Sequence, residues 1–293
     1  MIAREESRDG IQYYLRYYED WGDFIDRAEE VIELAPGKQK DGLGCASMKD
    51  DANWSGSKSL QEAVRLGRFG WEEGRDKILE IRKRLKIDSV LPNAKRIDRI
   101  MDVSGDEPDV ALYLMGEPDN MATLVDSNST DGRVVRILVN RTASWHIDAD
   151  DLLRRGVSIL IAIETMIRLG YSIELSICDA VSAGYGSDGS RMEDYIPVLR
   201  AGDPVNLDTI AFMLAHPSVL RRLLFATQEM EAVKVRKTFG FHGSGGYGHC
   251  AEPEKVTEKD LMIKKDDGAV NSEDKIIPYA VELLSKIGIK VDD

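Results

Sequence analysis

Cysteine is scarce in this 293-residue chain: Cys45, Cys178 and Cys250 are an odd set at wide spacing. That pattern excludes a disulfide framework and the paired C-x-x-C knuckles of a structural zinc site. Long apolar runs are missing as well. No stretch approaches the roughly 18 residues needed to cross a bilayer, so no membrane association is expected. The opening M-I-A-R-E-E-S-R-D-G lacks the apolar core of a secretory signal, which gives the cytoplasm as the expected location. Also absent are a G-K-[ST] phosphate loop, a G-x-S-x-G elbow, internal repeats and low-complexity tracts.

Positive charge is in deficit, with 39 Lys and Arg against 52 Asp and Glu, a net charge of −13. The acid lies towards the C-terminus. Residues 1–100 carry 19 basic against 20 acidic side chains, and residues 101–293 carry 20 against 32. Phosphate binding draws its affinity from Lys and Arg, so a large nonspecific nucleic-acid surface is not expected in the C-terminal part. What is present is a core: 43% of the residues are apolar, enough for one large or two modest domains.

The element around which the chain is organised is Arg133–Ser144, R-V-V-R-I-L-V-N-R-T-A-S. A β-branched apolar run ends in short polar side chains, and an amphipathic helical pattern follows over residues 150–169. This predicts a buried strand feeding a helix. Another strand over residues 171–178, with Gly170 as helix stop, completes a strand–helix–strand unit of a parallel sheet. Ligands of such sheets bind at the carboxyl ends of the strands, which makes Asn140, Thr142 and Ser144 candidate site residues.

On the N-terminal side, residues 11–35 read as one helix, because Tyr14, Tyr17, Tyr18, Trp21, Phe24, Ile25, Ala28 and Ile32 recur at three- and four-residue steps. Trp54–Arg75 reads as a helical hairpin, with Ser59 and Glu62 at capping-box spacing and Gly70 as the stop. Its second helix, to Leu85, carries Arg75, Lys77, Arg82, Lys83, Arg84 and Lys86 outward. Val110–Met115 and Thr123–Val125 read as two strands of a hairpin. Tyr195–Leu199 reads as a short strand, Leu207–Met230 as a helical stretch broken at His216-Pro217, and Ile276–Ile287 as a helix before a last strand, G-I-K-V. The expected organisation is an N-terminal helical region, residues 1–100, against an α/β domain, residues 101–293, with a Rossmann-like, doubly wound, mainly parallel sheet.

Three features of residues 133–293 carry a family resemblance: N-R-T-A-S at Asn140–Ser144, the helix running through R-L-G-Y-S-I-E-L into the next strand, and K-K-D-D-G-A-V-N before a closing helix and strand. Together they resemble the von Willebrand factor type A domain and its metal-ion-dependent adhesion site. The resemblance implies Mg2+, held by Asn140, Thr142, Ser144 and Asp267, with Asp203 standing in for the family's third-loop threonine. Asn140 replaces the family's Asp and Thr142 its first Ser. A hard cation needs near-octahedral oxygen ligands, so loss of one carboxylate weakens such a site. The competing reading is that these short side chains cap the helix and shape the turn.

The hairpin W-S-G-x-x-S-L-x-E-A, closing in G-W-E-E-G, resembles an uncharacterised family encoded mainly by tailed bacteriophages, which implies a viral origin. Together the resemblances imply a non-enzymatic binding or assembly protein. The loops holding Tyr185 and holding Phe241, His242, Tyr247 and His249 would face a protein partner, in the host cytoplasm or on the virion. Two alternatives stay open. One is RNA binding by the basic helix 75–86 with Arg96 and Arg99, and the other is an enzyme of unknown chemistry. His242, His249 and Cys250 lack a fourth zinc partner and usual zinc spacing, and Ser144, His146 and Asp148 sit too close in sequence for a hydrolytic triad. His216, Trp54 and Trp71 are expected to be structural.

Overall fold

The computed structural model describes residues 1–34, 43–86, 94–127, 133–184, 189–204, 206–242, 246–254 and 260–291; for residues 94–100 and 124–127 it describes the backbone alone. The chain opens with a β-hairpin, β1 (Ile2–Arg8) and β2 (Ile11–Tyr17), paired antiparallel from Ile2↔Tyr17 to Arg8↔Ile11. Its two-residue turn is Asp9-Gly10, both at positive φ (51° and 82°), the backbone that lets a tight turn follow the twist of its strands. The expectation of a helix from residue 11 is therefore corrected. Consecutive Tyr13, Tyr14, Leu15 and Arg16 are all buried, so the aromatic run fills a strand covered on both faces, and its three- and four-residue steps are incidental. Helix α1 starts only at Trp21 and runs to Leu34.

The helical hairpin forms as expected. After a short α2 (Ala52–Ser55) come α3 (Leu60–Phe69) and α4 (Glu72–Arg84). Ser59 Oγ accepts from the Glu62 amide at 3.1 Å, Glu62 Oε2 accepts from Lys58 N at 2.6 Å, and Gly70, at φ 90°, ends the helix. Two apolar residues of α4, Ile78 and Ile81, are buried, whereas Leu79 is exposed.

Next come β3 (Ala94–Asp102), β4 (Glu107–Pro108), α5 (Val110–Met115) and β5 (Met121–Ser127). The strand expected over Val110–Met115 is a helix. Asp109 Oδ1 accepts from Ala111 N and Leu112 N, and Gly116 closes the helix at φ 76°. Two caps decide the conformation of six residues whose apolar run has no period of its own.

The central unit is β6 (Val134–Asn140), α6 (Ala149–Arg168) and β7 (Ser172–Ser182), then β8 (Arg191–Leu199) and α7 (Leu207–Ala215). After Pro217 the helix resumes as a π-helical turn, Val219–Leu224, then α8 (Phe225–Glu229) and α9 (Val233–Phe239). The chain finishes with β9 (His249–Cys250), β10 (Leu261–Ile263), a 3-10 turn (Glu273–Lys275), α10 (Ile276–Ser285) and β11 (Ile289–Val291).

Two sheets result. One runs β1-β2-β8-β7-β6-β10, with β9 also on β7; the other runs β11-β3-β5-β4. In the first, β10, β6 and β7 are parallel, β8 lies antiparallel to β7, and β2 is parallel to β8. The protein is a mixed α/β fold with a parallel strand core. Helix α6 packs on β7 and between α7 and α10; at Gly156 an added Cβ would sit 2.4 Å from Ala215 Cα, so the missing side chain lets α6 and α7 touch backbone to backbone.

The division expected at residue 100 falls inside β3. Residues of α1, α3 and α4 share one apolar cluster with β6, β7, α6 and α10. The closing strand pairs with β3 in the second sheet, rather than extending the first.

Candidate functional site

Where β6 ends at Asn140 it leaves the sheet, and β9 takes the adjacent place beside β7, at Val181 and Ser182. This splitting opens the end of the sheet. Arg155 holds the split from below by donating to Asn140 O (3.1 Å) and to Lys264 O, so one guanidinium ties the ends of β6 and β10 together. Asn140 holds it from above. Its Nδ2 donates to Ala251 O at 2.8 Å and Glu252 Oε2 at 3.2 Å, and its Oδ1 accepts from Thr142 N at 3.0 Å.

Thr142 points down into the fold. Its Oγ1 donates to Asp179 Oδ1 at 2.7 Å and accepts from Ala180 N at 2.8 Å. Ser144 sits higher, with Oγ 2.8 Å from His146 Nδ1. The turn after β10 reaches the same place, since Asp266 N donates to Thr142 O at 2.9 Å and Ala143 pairs with Asp266. It is Asp266 that is buried there, 4.0 Å from Arg155 Nε. Asp267 is exposed and caps the turn by accepting from Ala269 N. Asp203 follows β8, whose Leu199 pairs with Leu175 near the start of β7. It lies at the opposite end of the sheet from Asn140 and is not part of the site.

The fit to a divalent ion follows from these bonds. The oxygens of Asn140 and Thr142 are engaged inside the protein, and a buried guanidinium already faces Asp266. Among the described residues no group of three His, Cys, Asp or Glu side chains is placed to hold a metal ion. As arranged, the donors do not fit a hard-cation site.

Among the described residues, cavities open above this end of the sheet, and two of them border the Asn140 loop. The first, about 630 Å³, has Thr142, Asp179 and Gln228 beneath Trp54, Trp145, Phe225 and Tyr247. The second, about 670 Å³, adjoins it through Ser144, His249 and Cys250, and reaches Arg191, Lys265 and Asp267. Trp145 stands at the mouth with 80% of its surface exposed. Phe225 and Tyr247 stack at 4.2 Å, and Trp54 lies 6.0 Å from Phe225. Trp54, expected to be core, is a wall of the cavity; Trp71 is core, as expected.

Buried polar groups hold these walls. Arg221 donates to Trp54 O at 2.6 Å and to Ile147 O, and its guanidinium lies over the Trp54 ring. Arg222 donates to Ser47 O, Lys49 O and Ser57 O at 2.8–3.0 Å. Glu229 accepts from Gly44 N, Ala46 N and Ser47 N and from the Tyr247 hydroxyl. Burial first, then the Glu229 charge, pushes the Tyr247 hydroxyl well above its usual range, so it stays protonated and donates. The backbone at Gly246, Tyr247 and Gly248 is left-handed throughout (φ 82°, 56°, 77°), a conformation costly for tyrosine and secured by that anchor. Sequence reasoning missed Arg141, Arg155, Arg221, Arg222, Asp179, Gln228 and Glu229. The signal was there in R-R inside the apolar run V-L-R-R-L-L-F.

Of the expected partner-facing residues, Tyr247 and His249 line the cavities, His242 is exposed, and Phe241 is fully buried against Phe239 and Tyr247. Phe241 is therefore a support, not a contact. Tyr185 lies outside the described residues. His216 is structural as expected: burial lowers its pKa to about 3, and its Nδ1 accepts from Ser218 N.

The family described as domain of unknown function DUF7192 matches residues 4–291. The chain belongs to that family. No curated protein and no solved structure matches it. The match takes in the β1–β2 hairpin, the helical hairpin and the sheet-end site alike, so the DUF7192 unit in this chain embraces both sides of the expected division at residue 100. No helix among the described residues is long and apolar enough to cross a membrane.

Proposed function

We propose that this DUF7192 chain is a non-enzymatic recognition protein that receives a protein partner at the split end of its main sheet. The observation that carries the reading is Trp145. A tryptophan 80% exposed at the mouth of a cavity is the kind of aromatic anchor that dominates interface energetics, and here its backbone carbonyl accepts from Trp54 Nε1 at 3.3 Å. The loops around it are fixed from beneath by buried arginines and Glu229, which lowers the ordering cost of binding.

A von Willebrand A-like fold is the finer part of the proposal. With β9 left out and the count starting from β6, the strands β8-β7-β6-β10 run in the order 3-2-1-4, which supports a doubly wound arrangement with its ligand crevice at the switch point, β8 being the antiparallel member. In this reading the Asn140 loop keeps the turn of an adhesion site while its oxygens serve the protein's own hydrogen bonds. An assembly role in bacteriophage-infected cells belongs to the same proposal and rests on the hairpin resemblance.

RNA binding through α4 is the weaker reading, because the arginines of this helix are engaged in ion pairs within the protein. Arg75 pairs with Asp208, Glu72 and Asp76, Arg82 with Glu164, and Arg84 with Glu273. The side chains of Arg96 and Arg99 lie outside the described residues. No triad supports an enzyme at Ser144 and His146, which are neighbours on one exposed turn.

A photo-crosslinking amino acid at position 145, and separately at Leu79 on the outer face of α4, tests the proposal in producing cells. A discrete protein adduct from position 145 and none from position 79 is expected. A nuclease-sensitive adduct, or equal labelling from both positions, would overturn it.

A further inference from the structure

Six apolar residues in a row, Val110–Met115, form α5, and none of them is buried. The helix is held at its ends instead, by the Asp109 side chain and by Gly116, so burial of its side chains is not what folds it. Val110, Tyr113 and Leu114 fall at i, i+3 and i+4, on one face of the helix. They are 63%, 67% and 78% exposed, with Met115 next to them at 67%. Val103, 66% exposed, leaves β3 at the same corner of the second sheet, since Asp102 of β3 and Pro108 of β4 both pair with Met121. Of the fourteen large apolar side chains left exposed among the described residues, these five lie between positions 103 and 115. Exposed apolar residues scattered singly are ordinary, whereas a cluster of them marks a contact surface.

The charge beside the cluster decides what it meets. Residues 100–132 contain eight Asp and Glu and no Lys, Arg or His. Asp102, Asp106, Glu107, Glu117 and Asp119 are exposed on either side of α5 in sequence, and none of them is ion-paired with a described residue. Both flanks are tied to the helix, Glu117 N donating to Leu112 O at 3.0 Å and Asp109 N to Asn120 O at 2.7 Å. A second copy of this chain is a poor occupant, because a two-fold contact sets the same patch against itself and carboxylates against carboxylates. A segment that carries apolar side chains with Lys or Arg beside them matches both the apolar face and its negative rim.

We infer that α5 and its acidic flanks are a docking surface for a cationic amphipathic segment of a partner protein. Apolar side chains of the segment sit on Val110, Tyr113, Leu114 and Met115, and its Lys or Arg side chains face the flanking carboxylates. This surface shares no residue with the one around Trp145 and serves a second contact, independent of what binds at the first.

The probe is a fluorescein-labelled peptide of leucine and lysine, L-K-K-L-L-K-L-L-K-K-L-L-K-L, and the readout is anisotropy on titration with the full-length chain. Two control peptides carry Glu in place of every Lys, or Ser in place of every Leu. Saturable binding of the leucine–lysine peptide is expected, with both controls at least tenfold weaker. Leu114→Ser should weaken it at least tenfold, the fold-change for losing one buried leucine side chain. Glu117→Lys with Asp119→Lys should weaken it as much and reduce its sensitivity to salt. Leu79→Ser, which removes an exposed apolar side chain of α4, should leave it unchanged. The three peptides compared on the unaltered chain keep the test open if a variant does not fold. Absence of binding at submillimolar concentration, a control peptide as tight as the leucine–lysine one, or binding untouched by the changes at positions 114, 117 and 119 would each overturn the inference. So would a dimer in sedimentation velocity that Leu114→Ser separates, or pelleting with phosphatidylcholine vesicles that Leu114→Ser abolishes, since the occupant would then be a second copy or a lipid surface.

Discussion

Asp179 sits opposite Asp194 in the β7–β8 register, both buried. Burial raises its pKa from 3.8 to about 6, against the pull of Thr142, Gln228 and Arg141. Burial, and then the Asp179 charge, raises Asp194 as well. A carboxyl that binds its proton more tightly in the folded than in the unfolded chain favours folding below about pH 4, and that stability is lost as pH rises through about 6, at most about 3 kcal/mol for a shift of this size. Asp179→Asn should therefore flatten the fall in stability between pH 4 and pH 6, because asparagine accepts from Thr142 and a turned Gln228 amide meets its NH2. Denaturant unfolding across that range checks it, and parallel pH profiles for the two proteins would contradict it. At Tyr247, loss of the hydroxyl leaves Glu229 one donor short, and Tyr247→Phe should cost about 2 kcal/mol in the same measurement. The sequence reading found the residues that bend the chain at this site, Asn140, Thr142 and Ser144. It did not find those that hold it, because Arg221, Arg222 and Glu229 look like surface charge until the carbonyls and amides they serve come together from residues 44–57 and 147.

The elements with caps or a clean period were legible. Ser59, Glu62 and Gly70 set α3, Gly170 ended α6, and Pro217 broke the helix after α7, all through local chemistry. The failures were runs whose conformation is decided by neighbours. The strand at Ile11–Tyr17 follows from the Asp9-Gly10 turn and from pairing with β8, and the helix at Val110–Met115 follows from caps at either end. Gly156 carries a prediction at this scale. Alanine there would gain about 1 kcal/mol of helix propensity, but its Cβ would lie 2.4 Å from Ala215 Cα and 2.6 Å from Leu214 O. Those are backbone atoms that cannot swing aside, so overpacking outweighs propensity. Gly156→Ala should lower the midpoint of thermal unfolding, by a net cost of about 1–3 kcal/mol; an unchanged or raised midpoint would show that α6 and α7 separate freely.

Across the whole molecule, the proposed recognition site draws on parts far apart in sequence. Trp54 comes from the N-terminal third, Trp145 from the turn after β6, and Tyr247 from the stretch before β9; Tyr247 belongs to a smaller apolar cluster beside the main core, and Phe225 packs against both. That assembly was not readable in advance, since no local pattern announces that β2 pairs with β8 or that β11 pairs with β3. It also bears on the ion. With the oxygens of Asn140 and Thr142 engaged and Arg155 beside Asp266, replacing EDTA by millimolar Mg2+ or Mn2+ should leave the melting temperature unchanged; a rise abolished by Asp267→Ala would place a cation at the turn by mass action on the native state. The most direct test of the recognition site compares wild type and Trp145→Ala for binding to the protein captured by crosslinking at position 145. The account predicts at least a tenfold loss of affinity, with the melting temperature unchanged because the ring is exposed. Undiminished binding by a folded Trp145→Ala protein would contradict it.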